Sequence, residues 1–314
     1  MCLAQWVLVG MLRAAARTLR RAALAAALLL ALSALQRPAR PIRRDRAAAA
    51  LAAAEDTREP AQPSPADALG ALFVVQSHER AADFALEHFR SVYPRARVLM
   101  LNNGGEDAPM RAVARRHGVV QSYLHLPRIG RTVEEGAFEK LEDAMEWVRR
   151  VLNATVLWFP PEVTHVLMLE DDVNVVRRVD LGALLHDING ANEQGPTLTK
   201  AAEDVIRART PPGWAPSRLV FGGFGGSILR RSFFAKMWAT PTEQARVAAD
   251  VEAFSKLDYG PTFSSYQLLS FLVYLRGGTV RSWPGLIETW IPGHEERLKR
   301  QDFEVWHRYT NLYE

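Results

Sequence analysis

Apolar and polar positions alternate in blocks along residues 70–176, and the blocks change period. ALFVVQ (71–76) and ARVLMLN (96–102) are short, nearly unbroken apolar runs, as expected of strands buried on both faces of a sheet. Between them Ala81, Phe84, Ala85, His88, Phe89 and Val92 recur at helical spacing, and Pro94 ends that helix. A turn at Asn103-Gly104-Gly105, a short helix from Ala108 to His117 and a third strand over VVQSYLHL (119–126) follow. Val133, Ala137, Leu141, Ala144, Met145, Val148 and Leu152 predict one long amphipathic helix. The fourth strand, Val166–Leu169, is wholly apolar. The β-α-β-α-β-α-β order implies an α/β fold with a mainly parallel sheet flanked by helices.

Beyond residue 176 the pattern loosens. Asp180–Ile188 predicts a helix, and 189–216 a polar loop or insertion. RLVFGGFGGSILRRSFF (218–234) predicts a Gly-rich strand, and Thr242–Leu257 a helix. Asp258-Tyr259-Gly260-Pro261 forms a turn before a buried helix over Thr262–Leu275, stopped by Gly277-Gly278. TVRSW (279–283) and GLIETW (285–290) are short strands, and 294–314 is polar, aromatic and partly helical.

Charge changes the picture at the N-terminus. Residues 1–46 hold nine of the chain's 39 basic residues and one of its 35 acids, which leaves 30 basic and 34 acidic residues beyond. The pI of about 9.4 therefore belongs to the tail. The body is mildly acidic, which argues against a nucleic-acid partner. Residues 22–36 carry no charge and follow Arg13, Arg17, Arg20 and Arg21. That arrangement suits a signal anchor, ahead of a cleaved signal peptide or an organelle transit peptide. Residues 37–67, rich in Arg, Ala and Pro, read as a flexible stem, with the folded domain over 68–314. The single cysteine, Cys2, excludes an intramolecular disulfide framework and a Cys-rich zinc site. Asn153-Ala154-Thr155 is an N-glycosylation sequon.

The candidate chemistry lies at the end of the fourth strand, where Glu170, Asp171 and Asp172 follow one another. Adjacent carboxylates repel unless something cationic sits among them. Alternation puts Glu170 and Asp172 on one side and Asp171 on the other. Hard divalent cations take oxygen ligands of this kind, and open α/β sheets bind ligands at the carboxyl ends of their strands.

With the strand, the acidic triplet, the Gly-rich segment and the acidic turn in this order, residues 70–293 resemble nucleotide-sugar-dependent glycosyltransferases of the GT-A fold. The Glu-Asp-Asp triplet resembles that family's Asp-x-Asp motif. The resemblance implies a metal-dependent transferase that moves a sugar from a nucleotide-sugar donor to a glycan, glycoprotein or glycolipid acceptor. It implies Mn²⁺ or Mg²⁺ held by Glu170 and Asp172, with His294 of PGHEE as a late ligand. Donor contacts would come from Ser77 and Arg80 in SHER (77–80), Asn102 in NNGGED, Asp171, and Gly225 and Gly226 in GGFGGSILRR. An inverting enzyme needs a carboxylate base, for which Asp258 is the first candidate and Glu288 the second. The resemblance and the tail together imply a Golgi membrane protein with a luminal catalytic domain. The alternatives are secretion, or a plastid if the tail is a transit peptide. Competing readings of the site are a nucleotidyltransferase and an inactive sugar-nucleotide-binding family member. Absence of glycine from SHERAADF (77–84) counts against the first, and the intact triplet against the second.

Overall fold

The computed structural model describes residues 68–75, 79–129, 137, 138, 140–190, 197–214, 216–223, 225–257, 263–288 and 294–307. The expected anchor and stem, Ser77 and Asp258 lie outside these residues. Among the described residues no helix is long and apolar enough to cross a membrane.

The apolar runs form strands β1 (Leu69–Val75), β2 (Val98–Asn103), β3 (Tyr123–Leu126) and β5 (His165–Leu169). They belong to a seven-stranded sheet that also holds β7 (Ile188–Asn189), β8 (Ile228–Arg230) and β10 (Val280–Arg281), in the order β10-β7-β8-β5-β1-β2-β3. All run parallel except β8, which pairs antiparallel with both β5 and β7. This is the mainly parallel α/β sheet that the pattern predicts.

Both faces of the sheet are covered, and the alternation of side chains along each strand decides which side is served. Leu69, Ala71, Phe73 and Val75 of β1, with Leu167 and Leu169 of β5, pack under helices α1 (Glu79–Val92) and α2 (Asp107–Arg116). Leu72 of β1, with Val166 and Met168 of β5, packs with α3 (Leu141–Asn153), α4 (Lys200–Arg209), α5 (Arg231–Trp238), α6 (Pro241–Ser255) and α7 (Ser265–Tyr274). Burying both faces is why these strands read as continuous apolar runs.

A second sheet, β11-β12-β6, joins β6 (Val173–Val175), β11 (Leu286–Glu288) and β12 (Val305–His307). It is fed by α8 (His294–Arg300) and lies just beyond the acidic triplet. Val173 pairs with His307, and His307 with Glu288, so three distant stretches meet at one end of the main sheet.

Several elements differ from the sequence expectation, each for a local reason. The long helix over 133–152 begins only at Leu141; Ala137–Phe138 is instead strand β4, antiparallel to β9 (Phe263–Ser264). Phe138 is fully buried there, its ring 5.8 Å from Trp147. Over 180–188 no α-helix forms: Asp180 Oδ1 accepts the Gly182 N–H at 2.9 Å, and this local bond competes with a helix. The polar stretch 189–216 contains α4, whose core-facing side chains are Ala202, Ile206 and the partly buried Val205, too few to register as a period; Thr199 Oγ1 caps it. The third strand starts at Tyr123, after a 3₁₀ turn over Val120–Ser122. The Gly-rich strand shrinks to Ile228–Arg230, because Gly223 (φ 94°) and Gly226 (φ 84°) hold left-handed turns.

Asn153 ends α3, and its Oδ1 accepts the Trp238 indole N–H at 2.7 Å, while Thr155 is buried. The sequon's asparagine is thus half-buried against α5 and its threonine fully buried.

Two expected outcomes test this architecture. Ala68 is integral to the sheet margin, its carbonyl accepting the N–H groups of Thr164 and His165 at 2.9 and 3.1 Å. A chain starting at Ala68 is therefore expected to unfold cooperatively in a thermal melt, and an aggregated product would place the boundary elsewhere. Glu146 bridges Arg149 and Arg150, whose hydrogen bonds and charges hold its carboxyl below the usual range against partial burial. Arg150 is only 9% exposed and also donates to Asn103 Oδ1 at 2.6 Å and to the Pro127 carbonyl at 2.9 Å. Glu146→Gln is expected to cost about 1 kcal/mol, at the modest end because Glu146 is partly solvated. Its depressed pKa means the contribution is full above pH ~4.5 and is lost as pH falls through the folded value. Denaturant melts of both proteins at neutral and acidic pH should converge at the acidic end.

Candidate active site

β5 delivers Glu170, Asp171 and Asp172 to the carboxyl edge of the sheet, and the chain turns at once into β6. The turn is tight: the Val173 N–H bonds back to the Glu170 carbonyl at 3.1 Å. Gly225 lies against it. A Cβ on Gly225 would stand 3.2 Å from Glu170 Cβ and 2.7 Å from Val173 Cγ2, so only glycine lets the Gly-rich turn approach the carboxylates this closely. Gly226 donates its N–H to the Met168 carbonyl at 2.8 Å and fixes the turn to β5.

Glu170, Asp172 and His307 converge, with one ligand-capable atom from each within 4.8 Å of the others. His307 is 1% exposed. Its Nε2 faces Asp172 Oδ1 at 3.4 Å and its Nδ1 faces Glu288 Oε1 at 3.4 Å. Burial opposes charge on this imidazole, but Asp172, Glu288 and Glu170 outweigh it and raise its pKa to about 10. Asp171 experiences the opposite pressure. Its burial, then the neighbouring charges of Asp172 and Glu170, push its carboxyl up to about 7. The cluster is thus three carboxylates and a fourth, Glu288, around one imidazolium.

The fit to a divalent cation follows from this arrangement. Asp172 Oδ1 and Glu288 Oε1 are buried acceptors that no donor reaches with hydrogen-bond geometry, at 3.4 Å from the imidazole. Two carboxylates and an imidazole form an O,O,N set suited to Mn²⁺, and less so to Mg²⁺. Glu288 stands behind His307 as the carboxylate that orients a ligating imidazole does.

The sequence candidates divide accordingly. Glu170 and Asp172 are in the group, but His294 is not: its Nδ1 accepts the Glu288 backbone N–H at 2.9 Å, and burial and then Arg297 lower its pKa. The late histidine in the group is His307. Glu288, the second candidate base, is 2% exposed, and its Oε1 faces His307 Nδ1. Asn102 is buried with its amide committed inside the fold, Nδ2 to the Gly105 and Glu106 carbonyls and the Tyr123 hydroxyl, Oδ1 to the Gly105 N–H. Its neighbour Asn103 keeps a buried Nδ2 without a hydrogen-bond partner at the same carboxyl edge. Arg80 is exposed in the first turn of α1, beyond the end of β1. A groove of about 540 Å³ lined by Phe233, Met237, Leu275, Lys236, Arg246 and Arg276 contains none of these residues.

No protein-family model matches the sequence, and no curated protein does. Among solved structures, the chain is similar to the galactosyltransferase LgtC in complex with donor and acceptor sugar analogues, at 13% identity and a TM-score of 0.41, over 76% of this chain and 87% of that one. It is similar to mouse xyloside xylosyltransferase 1 at 10% identity and a TM-score of 0.39, over 77% and 98%. It is similar to the bifunctional glycosyltransferase WbbM at 9% identity and a TM-score of 0.44, over 80% and 47%. At TM-scores below 0.5 these likenesses carry no argument about the reaction, which rests on the site.

Proposed function

We infer that the protein is a metal-dependent glycosyltransferase that transfers a sugar from a nucleotide-sugar donor to a glycan, glycoprotein or glycolipid acceptor. The observation that carries the reading is the convergence of Glu170, Asp172 and His307 at the carboxyl end of the central strand, against a glycine turn. Ligands of open α/β sheets collect at that edge. A hard divalent cation, when bound there, neutralises negative charge that develops on a departing nucleoside diphosphate.

Each residue has a distinct part in this reading. Glu170 and Asp172 bring the anionic oxygens, and His307 an imidazole that must give up its proton to ligate. Glu288 faces that imidazole at 3.4 Å as a counter-charge, and His294 in turn accepts the backbone N–H of Glu288. Asp171 lies in the turn after β5, and its carboxyl, raised to about 7 by burial and by Asp172 and Glu170, suits a donor hydroxyl better than a second metal contact. Gly225 supplies the open wall beside Glu170. Asn103 offers a buried amide donor, and Arg80 a cation, to the donor nucleotide. Asp258 is the proposed base of an inverting reaction. The tail would anchor the enzyme in the Golgi membrane with this domain in the lumen.

A panel of sugar nucleotides tests the reading on the full chain by thermal stabilisation, with and without Mn²⁺. A ligand that binds the folded state at about 100 times its Kd adds about 2.7 kcal/mol. One hexosyl or N-acetylhexosaminyl donor is expected to stabilise the protein only with the cation, and to be consumed when an acceptor is supplied. Stabilisation by nucleoside triphosphates instead, with release of pyrophosphate, would replace the reading with nucleotidyl transfer.

A further inference from the structure

Helices α5 and α6 and the residues just after α7 line the groove of about 540 Å³, which shares no residue with the carboxylate group. That volume is ample for a small molecule, since such sites run from roughly 300 to 1,000 Å³. The chain sets the groove apart from the carboxylates. α5 starts directly after Arg230, which pairs with His165, the first residue of β5, whereas Glu170 follows the last. Phe233, Met237 and Leu275 form its apolar wall. Phe233 is held in place: its ring stands edge-on to Phe234 at 5.7 Å, and a Cβ on Gly278 would come within 2.5 Å of its Cζ.

Two acids line the groove, and both are engaged. Glu243 Oε1 accepts from Arg246 Nη1 at 2.6 Å. Asp250, 13% exposed, lies between two arginines, with Arg209 Nη1 on its Oδ1 at 2.7 Å and Arg276 Nη1 on its Oδ2 at 2.6 Å. The remaining acid of α6, Glu252, is bonded to Lys256. Lys236, exposed on α5, has no acid partner among the described residues. Lys236, Arg246, Arg276 and Arg209 therefore face Glu243 and Asp250, an excess of two positive charges. Arg276 is the centre of this arrangement. Asp250 fixes its guanidinium through Nη1, while its Nη2 is buried with no hydrogen-bond partner. A buried N–H without an acceptor is costly, and an arriving oxyanion removes that cost with a charge-assisted hydrogen bond.

We propose that this groove is a binding site for an aromatic oxyanion, a ring that bears a carboxylate or a phosphate. The oxyanion accepts from Arg276 Nη2 and meets the charge of Lys236. The ring lies against Phe233 and Met237, whose π face and polarisable sulfur both favour an aromatic neighbour. A cation is repelled by the excess charge, and a bare inorganic anion leaves the apolar wall uncovered. The site does not rest on glycosyl transfer, because it uses neither the metal group nor the carboxyl edge.

Fluorine NMR on the full chain in EDTA tests the proposal, with para-fluorophenyl phosphate and para-fluorophenylacetate as probes of the two head groups. The probe signal is expected to broaden on binding, and a response to only one of the two identifies the head group. The isosteric para-fluorophenyltrimethylammonium should not respond. Inorganic phosphate should displace the bound probe only at concentrations roughly tenfold higher or more. Ala249→Trp, at an exposed position of α6 that lines the groove, should fill it and abolish the broadening. Lys236→Glu should weaken binding roughly tenfold without touching a buried ion pair, and it decides alone should the tryptophan unfold the chain. Asp172→Asn should bind the probe as the native chain does, which separates this groove from the carboxylate edge. The proposal is overturned if neither anion binds at millimolar concentration, or if the ammonium binds as tightly as the anions. Binding that a folded Ala249→Trp or Lys236→Glu leaves intact, or that Asp172→Asn removes, overturns it as well.

Discussion

Asp172→Asn is expected to remove Mn²⁺-dependent donor binding and transfer while the fold survives. The substitution keeps the size of the side chain and deletes one of two anionic ligands in a group of three. A hard cation held by so few protein ligands then loses more than the roughly 10–100-fold that loss of an outer-shell partner costs. The effect on the metal-free protein is smaller than the triplet alone would suggest. By sequence, neutralising one of three adjacent acids relieves repulsion and stabilises. In the structure Asp172 also lies 3.4 Å from the buried His307 imidazolium, and that attraction is lost. Relief of Asp171 and loss at His307 oppose each other at a partly exposed carboxylate, so the melt without metal should move by no more than about 1 kcal/mol. Thermal melts with and without Mn²⁺ and sugar nucleotide read both effects. A ligand-induced shift as large as that of the native protein would sink the metal role of Asp172.

The part of this site legible in the sequence is the part that local pattern encodes. Val166–Leu169 followed by three acids announces a buried strand that opens onto a charged edge, and the structure places both as read. Alternation along one strand can be read too, but its phase cannot be fixed from within. Asn102 and Asn103 are adjacent and chemically identical, and which faces a ligand depends on which face of β2 meets α2. His307 was illegible for a different reason. Its role arises from pairing of β12 with β6, which sets it opposite Val173, two short strands of three residues separated by more than a hundred positions. Strands this short leave almost no periodic trace. His294 of PGHEE stands out only through the resemblance, as a late histidine, whereas Val305-Trp306-His307 is too short an alternation to single out His307. Glu288 shows the same limit from the other side. Its place in the sequence says nothing of its burial, and the structure sets it 2% exposed and facing an imidazole.

His307→Gln separates a metal ligand from a structural counter-charge. In the metal-free protein the imidazolium occupies the position between Asp172 and Glu288 that a cation would neutralise, and its pKa of about 10 lies above the ordinary 6.5. A group raised in this way stabilises the fold fully below pH ~6.5 and loses that contribution as pH rises through ~10. The metal-free native protein is therefore expected to melt progressively earlier from pH 7 to 10, and the Gln variant to lack that decline. At neutral pH the variant should be less stable by about 3 kcal/mol, the usual result of leaving buried charge without its partner, moderated because the amide still donates a hydrogen bond. Both readings of His307 share that loss. They part on the cation. If His307 is a ligand, Mn²⁺ must displace its proton, so binding to the native protein releases about one proton near pH 8, which calorimetry in buffers of different ionisation enthalpy measures. The native Mn²⁺ affinity should then rise with pH, while the variant releases no proton and loses the Mn²⁺-dependent donor shift. If His307 only balances charge, removing it frees Asp172 and Glu170 for the metal, and the variant should bind Mn²⁺ as tightly as the native protein or more so. A variant that is destabilised yet keeps the full Mn²⁺-dependent shift would reduce the centre to its two carboxylates.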